Sequence, residues 1–526
     1  MGAGLFLGLA AVLPFGLRAS ADQAELRATA PGAAAHEVVT STKQASAIEV
    51  GPPSLLPRIE QPAALPDDAG LYLRTYQIVY GKRWERQVTW PVLAGPFDAE
   101  GTPWPCSLAV RFLPRFFDDG GTGGGDVKAF VDRIVRAQFP FSVLGLRFAA
   151  VASTSLHVKP VDGGVEISGS VVLGDSRRDP TQFFLKGKVA LGERDGDLTA
   201  RLERVDLSWR GHTRNDPLVA LANIFMDVDD QARGIVADRL RGALGILKLP
   251  KEGFPMFDDR PNDKVRLRLC GAPAAKAEGV TLPLRMVAKL AEPRVDPSVP
   301  GPVRLEVKPD LGEPRPEGET GNDTIEVAAS AAAAQQALYL MWQGGELQRW
   351  GKQERVVGAL RDKMQDRVAF EVEGVDPRLP PTLVPSGDGG AFRVRFGDLA
   401  LGRLDARDAK AGRRVVANGD LLAKARVEHG KLALSGTLAD LRVTCVEAVG
   451  KGQALTPCFS DVVPVLRESG LSSEGLPLDV ALPDRMFRLS LVLGTDLVLD
   501  GLRGELVGSP AQLLVRGEAK LVRRGN

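Results

Sequence analysis

Residues 327–345, VAASAAAAQQALYLMWQGG, pass nineteen positions without a charge in a chain that is 25% charged. An ordinary amphipathic helix shows water a charged face, and this stretch has none to show. An apolar seam at Val327, Ala331, Ala334, Leu338, Met341 and Gly345 keeps a 4-3-4-3-4 spacing, which predicts a helix over 327–345. Asp323 and Glu326 stand where the N-cap and N3 of a capping box belong, and Gly344–Gly345 supply the stop. One face of such a helix serves a core, so the opposite face must meet something else apolar. A membrane span needs about this length. Three glutamines, a serine and seven alanines make the run too weakly hydrophobic for that, and Lys352, Arg355 and Arg361 beyond it are balanced by Glu346 and Glu354. It reads as a buried helix.

The flanks of this helix alternate with period two. Val165, Ile167 and Val171 follow an Asp162-Gly163-Gly164 turn, and Val265, Leu267 and Leu269 share one side of KVRLRLC. Beyond the helix, Phe392, Val394 and Phe396 lead to Leu399 and Leu401, and Leu432, Leu434, Leu438 and Leu441 continue the pattern. Phe487, Leu489, Leu491 and Leu493 repeat it. Such patterning with short turns predicts antiparallel sheet with one face buried. Further amphipathic helices are expected over 126–138, over a longer stretch opened by Pro217 (Leu221, Phe225, Val228, Ile235), and over 458–468.

At 526 residues the chain is too long for one core. Seven prolines between 291 and 323 read as a stiff linker separating a domain at 66–290 from one at 324–526. Residues 1–21, apolar from Leu5 to Leu13 and ending in Ala19-Ser20-Ala21, read as a secretory signal without the usual basic start. Residues 22–65, rich in Ala, Ser, Thr and Pro, read as a disordered leader. The expected location is therefore secreted or periplasmic. Four cysteines suit an oxidising compartment, and Cys445 and Cys458, thirteen apart, suggest a local disulfide; four buried thiols are the other reading.

A net charge of +1 gives no attraction for a polyanion, so no nucleic-acid partner is expected. The histidines His36, His157, His212 and His429 lie too far apart in sequence for a zinc site. No Gly-x-Ser-x-Gly elbow is present. Gly120–Gly125 lacks the Lys-Ser/Thr of a phosphate loop, and Asp227, Asp229 and Asp230 lack the glycine of a calcium loop. The chain is therefore expected to be no enzyme and to need no cofactor or metal.

Three segments in the second half resemble the bactericidal/permeability-increasing (BPI-like) family. IEVAASAAAAQQALYLMWQGGELQ (325–348) is similar to the opening of the family's C-terminal domain, where a strand feeds a long helix. RLPPTLVPSGDGGAFRVRFGDLAL (378–401) is similar to its Pro-Pro turn and following strands, and SSEGLPLDVALPDRMFRLSLVL (472–493) to its closing segment. In the first half, SLHVKPVDGGVEISGSVVLG (155–174) resembles paired strands, and 216–247 a second long helix. The resemblance implies an α+β chain of two tubular lipid-binding (TULIP) modules, each a long helix wrapped by a highly curved antiparallel sheet. It also implies a phospholipid or fatty-acid-like lipid in an apolar tunnel, with transient contact to a membrane surface. Tunnel-lining candidates are Val327, Ala331, Ala334, Leu338 and Met341, with Leu221, Phe225, Val228 and Ile235 in the first half. The alternative is an envelope scaffold or assembly factor that carries no lipid.

Overall fold

The computed structural model describes, besides pieces of four residues or fewer, residues 72–80, 84–92, 106–118, 151–173, 181–210, 260–291, 308–314, 321–352, 370–377, 379–384, 391–404, 413–428, 431–438, 442–449, 452–457, 495–507 and 511–523. Its principal strands are β1 (Leu108–Phe112), β2 (Val151–Val161), β3 (Gly164–Leu173), β4 (Thr181–Arg194), β5 (Asp197–Arg210), β6 (Arg260–Leu269) and β7 (Gly279–Lys289). They continue with β8 (Ile325–Ser330), β9 (Phe370–Pro377), β10 (Thr382–Val384), β11 (Phe392–Leu404), β12 (Arg413–Glu428), β13 (Thr495–Val507) and β14 (Gln512–Arg523). The described helices are α1 (Pro114–Phe117), α2 (Ala331–Gln343) and α3 (Glu346–Gly351).

Two sheets hold most of this. β2 to β5 form a four-stranded antiparallel meander, and a seventeen-stranded sheet takes in the other labelled strands. Hairpin β2–β3 turns at Gly163, whose φ of +75° suits glycine. The expected alternation is present: Val165, Ile167 and Val171 are buried on one side of β3, and Val265, Leu267 and Leu269 on one side of β6. The two sheets touch where turn meets strand: Gly163 N–H donates to Ala275 C=O, and Leu269 N–H to Gly196 C=O.

The expectation of two helix-in-sheet TULIP modules is overturned. Among the described residues strand far outweighs helix, and only α2 of the described helices exceeds six residues. The sequence also places the helix start too early. Residues 325–330 are strand β8, buried at every position, so they carry no alternation to betray them. A run of Val, Ala and Ser buried on both faces satisfies a helical seam as readily as a strand. The N-cap is Ser330, in extended conformation, and not Asp323. At the other end Gly344 N–H bonds Leu340 C=O, and Gly345 takes a φ of +76°, which ends the helix as expected.

Asp323 and Glu326 do different work from capping. β1 lies between β7 and β8, and β8 lies between β1 and β14, so one ladder runs from residues before the proline-rich segment to residues after it. In this ladder Glu326 is the register partner of both Arg111 and Arg516. Arg111 Nη1 reaches Glu326 Oε2 at 3.0 Å and Arg516 Nε approaches Oε1 at 3.4 Å. Asp323 Oδ2 accepts from Arg503 Nη2 at 2.8 Å. The adjacent row, Ala109, Ala328 and Leu514, is covered by Leu311. The strap carrying Leu311 is clasped by Gln512, which exchanges two hydrogen bonds with Asp310, and by Arg111 Nη2 donating to Gly312 C=O at 2.9 Å. Residues 310–312 of the expected linker thus lie against the sheet.

The disulfide described in the structure joins Cys106 to Cys270, immediately before β1 and after β6, across 164 residues. Of the pair suggested by spacing, Cys445 sits on the strand Arg442–Val449 opposite Thr456, and Cys458 lies outside the described residues. The expected helices over 217–247 and 458–468 also lie outside them.

Removing one partner of a buried ion pair leaves the other charge uncompensated, at a cost of about 3–5 kcal/mol. Glu326→Leu, which strands Arg111, should lower unfolding stability by about that much in a urea titration. Arg516→Ala should cost much less, because its side chain is 34% exposed against 10% for Arg111.

Candidate functional site

The uncharged helix was the sequence's strongest pointer to function, and its surroundings define the candidate site. All thirteen residues of α2 are buried. On one flank lies β7, on another β10, and β8 feeds the helix from below. Ala331, Ala334, Leu338 and Met341 are therefore enclosed, and Val327 is enclosed on β8. Leu221, Phe225, Val228 and Ile235 lie outside the described residues.

The glutamines explain how an uncharged helix can be polar inside a core. Buried backbone groups at a strand edge need partners. On β7, Leu284 C=O takes Ser107 N–H as β1 begins, and the next carbonyl on that edge, Met286 C=O, takes Gln336 Nε2 at 2.9 Å. The helix side chain continues where the strand stops. Gln335 does the same for β10: its Nε2 donates to Pro381 C=O at 3.2 Å and its Oε1 accepts from Leu383 N–H. One carboxamide thus meets the groups on either side of Thr382, as a neighbouring parallel strand would. Trp342 Nε1 and Gln348 Nε2 both donate to Pro377 C=O, at 3.0 and 3.2 Å. The adjacent residues Gln335 and Gln336 therefore stitch the helix to strands from opposite sides of the proline-rich segment.

Tyr339 packs beside Trp342, ring centroids 6.0 Å apart. Burial pushes its phenol pKa well above the ordinary tyrosine range. Among the described residues no cluster of three or more histidine, cysteine or carboxylate side chains forms a metal site, and no helix is long and apolar enough to cross a membrane.

Sequence reasoning missed the roles of Gln335, Gln336, Arg111 and Glu326. The signal available was the pair of polar residues inside an otherwise apolar run, which marks buried hydrogen bonding as well as it marks weak hydrophobicity.

No family model and no curated protein matches the chain. Among solved structures, a lipopolysaccharide binding protein, a member of the BPI/LBP family, overlaps 81% of this chain and 100% of its own at 12% identity and a TM-score of 0.30. P47 of Clostridium botulinum E1 overlaps 79% of this chain and 100% of its own at 9% identity, with a TM-score of 0.27. P47 from Clostridium botulinum A2 gives 78%, 97%, 8% and 0.26 respectively. Overlaps of this size fix neither a shared fold nor a shared ligand.

Two outcomes test the packing of α2. Gln335→Leu leaves Pro381 C=O and Leu383 N–H buried without partners, and should cost about 2–4 kcal/mol in chemical denaturation. A phenol with a raised native pKa binds its proton more tightly folded than unfolded, so its stabilisation is complete below the unfolded pKa and is lost progressively as pH rises from there through the higher folded pKa. Stability should decline from about pH 10 upward, and Tyr339→Phe should flatten that decline, read from thermal unfolding across an alkaline pH series.

Proposed function

We propose that the chain binds a lipid-like apolar ligand, a fatty acid or phospholipid, and acts by holding it rather than by reacting with it. The observation that carries this is the inner wall of β2–β4. Leu156, Val158, Ile167, Val171, Phe183 and Leu185 are all buried there, and none of them has a hydrogen-bonding side chain. The outer face of the same strands carries His157, Lys159, Glu166, Lys186 and Lys188, which keeps the apolar side single.

Burying an acyl chain of about sixteen carbons is worth roughly 0.8 kcal/mol per CH₂, on the order of 10 kcal/mol gross. Leaving a bilayer costs a similar amount, so exchange between wall and membrane is close to neutral. Carriage of this kind needs only transient contact with a membrane surface. With the signal-like start, the proposed setting is secreted or periplasmic.

A second reading, a scaffold without lipid, is favoured by one observation: α2 is bonded through its side chains to strands on two flanks. For α2 to line a ligand space, β7 or β10 would have to part from it.

Organic extraction of detergent-free protein followed by mass spectrometry, with uptake of a fluorescent fatty acid, separates the two. Stoichiometric lipid supports the first reading, and a photoactivatable fatty acid should then label peptides from 151–198. A clean extract with no uptake would sink lipid binding and leave the scaffold.

A further inference from the structure

Hairpin β6–β7 turns one kind of residue inward and another outward. Val265, Leu267 and Leu269 on β6 and Leu282, Leu284, Met286 and Ala288 on β7 are all buried. The residues between them point the other way: Arg266 is exposed, and Arg268 and Arg285 are half-buried. The short strand Ala274–Lys276 joins the same outward face, because Ala274 stands opposite Thr281 and Lys276 opposite Gly279. Lys276 is exposed there.

The charges on this face do not compensate one another. Arg268 is the register partner of Arg285, and Arg266 of Val287. Like charges directly opposite across a ladder destabilise it. Elsewhere in the same sheet arginines meet carboxylates: Arg111 reaches Glu326, Arg503 reaches Asp323 and Arg395 reaches Asp420. Arg268 instead donates to a backbone carbonyl, that of Asp195. The carboxylates of that turn are engaged within it: Glu193 accepts from Gly196 N–H, and Asp195 lies 3.8 Å from Arg194. From 266 to 285 the chain carries four basic residues against one carboxylate, Glu278, an excess of three in a chain whose net charge is +1.

Such a concentration of charge acts locally. Fields are screened over about 8 Å at physiological salt, so the near-neutral sum of the chain does not cancel it for a partner in contact. That partner must be anionic, and its form must fit a flat face. Residues 266–285 contain no Phe, Tyr or Trp. Protein interfaces use such rings as central anchors, and single-stranded nucleic acid stacks on them. A layer of mobile anionic headgroups needs no anchor of that kind, since it rearranges beneath fixed basic side chains.

We propose that the outward face of hairpin β6–β7, with Arg266, Arg268, Lys276 and Arg285, docks the chain on an anionic phospholipid surface. This deepens the carrier reading and rests on it for its purpose, by supplying the membrane contact that carriage needs. The docking itself involves neither α2 nor the apolar wall of β2–β4.

Co-sedimentation of the full, detergent-free chain with vesicles tests this. Phosphatidylcholine vesicles containing phosphatidylglycerol should bind it, pure phosphatidylcholine should not, and about 0.5 M salt should release it. Each positive charge removed should weaken binding about fivefold, so Arg266→Gln with Arg285→Gln should cost about twenty-fivefold. Lys186→Gln, on β4 with a side chain 64% exposed, should leave binding unchanged. On the wild type, anionic vesicles should shield Lys276 from acetylation and neutral ones should not, a readout that requires no variant to fold. Absence of binding, equal binding to both vesicles, indifference to salt, full affinity in the double variant, an equal loss in Lys186→Gln, or an unshielded Lys276 would each overturn the docking face. A lipid-free extract would sink carriage without touching these results, and charge-independent vesicle binding would sink docking without touching carriage.

Discussion

A single carboxylate, Glu326, is the point on which the large sheet depends. It sits on the strand between β1 and β14 with an arginine on each side, and it is nearly sealed from water. Burying Glu326 and Arg111 is expensive, and a well-packed apolar pair of the same volume is often no less stable. The gain is one of specificity. A slip of one residue in either ladder moves that ladder's arginine to the opposite face and takes one of its two partners from Glu326. Because β1 precedes the proline-rich segment and β8 follows it, this one row fixes the register between distant parts of the chain.

The strap over the neighbouring row depends on the same choice. Leu311 fits because β1 and β8 offer Ala109 and Ala328, whose small side chains leave room above the sheet. Arg111 is shared between the ion pair and the strap, since its second terminal nitrogen holds Gly312 C=O. Loss of Arg111 would therefore loosen the register and the covering segment together. A proline-rich stretch that looks like a spacer is in part a cover for the apolar row beside the charged seam.

These relations explain what the sequence could and could not disclose. The Asp162-Gly163-Gly164 turn and the alternation at Val265, Leu267 and Leu269 were legible because each depends on a few adjacent residues. The glycine stop of α2 was legible for the same reason. The start of α2 was not, since β8 is buried on both faces and loses the period that identifies a strand. Glu326 imitated a capping residue because its true partner is 215 residues away. The Cys106–Cys270 bridge was hidden by a separation of 164, whereas spacing draws attention to near pairs. The helix-in-sheet architecture was inferred from segment resemblance, and resemblance over short runs does not fix how many strands surround a helix.

The two buried apolar regions differ in the kind of force that shapes them, which bears on where a ligand belongs. Around α2, carboxamides and the Trp342 indole bond to particular backbone groups: carbonyls of β7 and β9, the Pro381 carbonyl just before β10 and the Leu383 N–H on it. Hydrogen bonds are directional, and a buried one left unmade costs more than a made one contributes. That surface therefore resists substitution of protein by a guest. The apolar residues described on the inner wall of β2–β4 have side chains that neither donate nor accept hydrogen bonds, and they are removed from water. The hydrophobic effect has no preferred direction and scales with area, so such a wall accepts a flexible chain in place of another apolar surface. The proposed acyl ligand, which has no fixed shape, suits the second surface better than the first, and the helix that first suggested it is better understood as the rivet that holds the sheet in form.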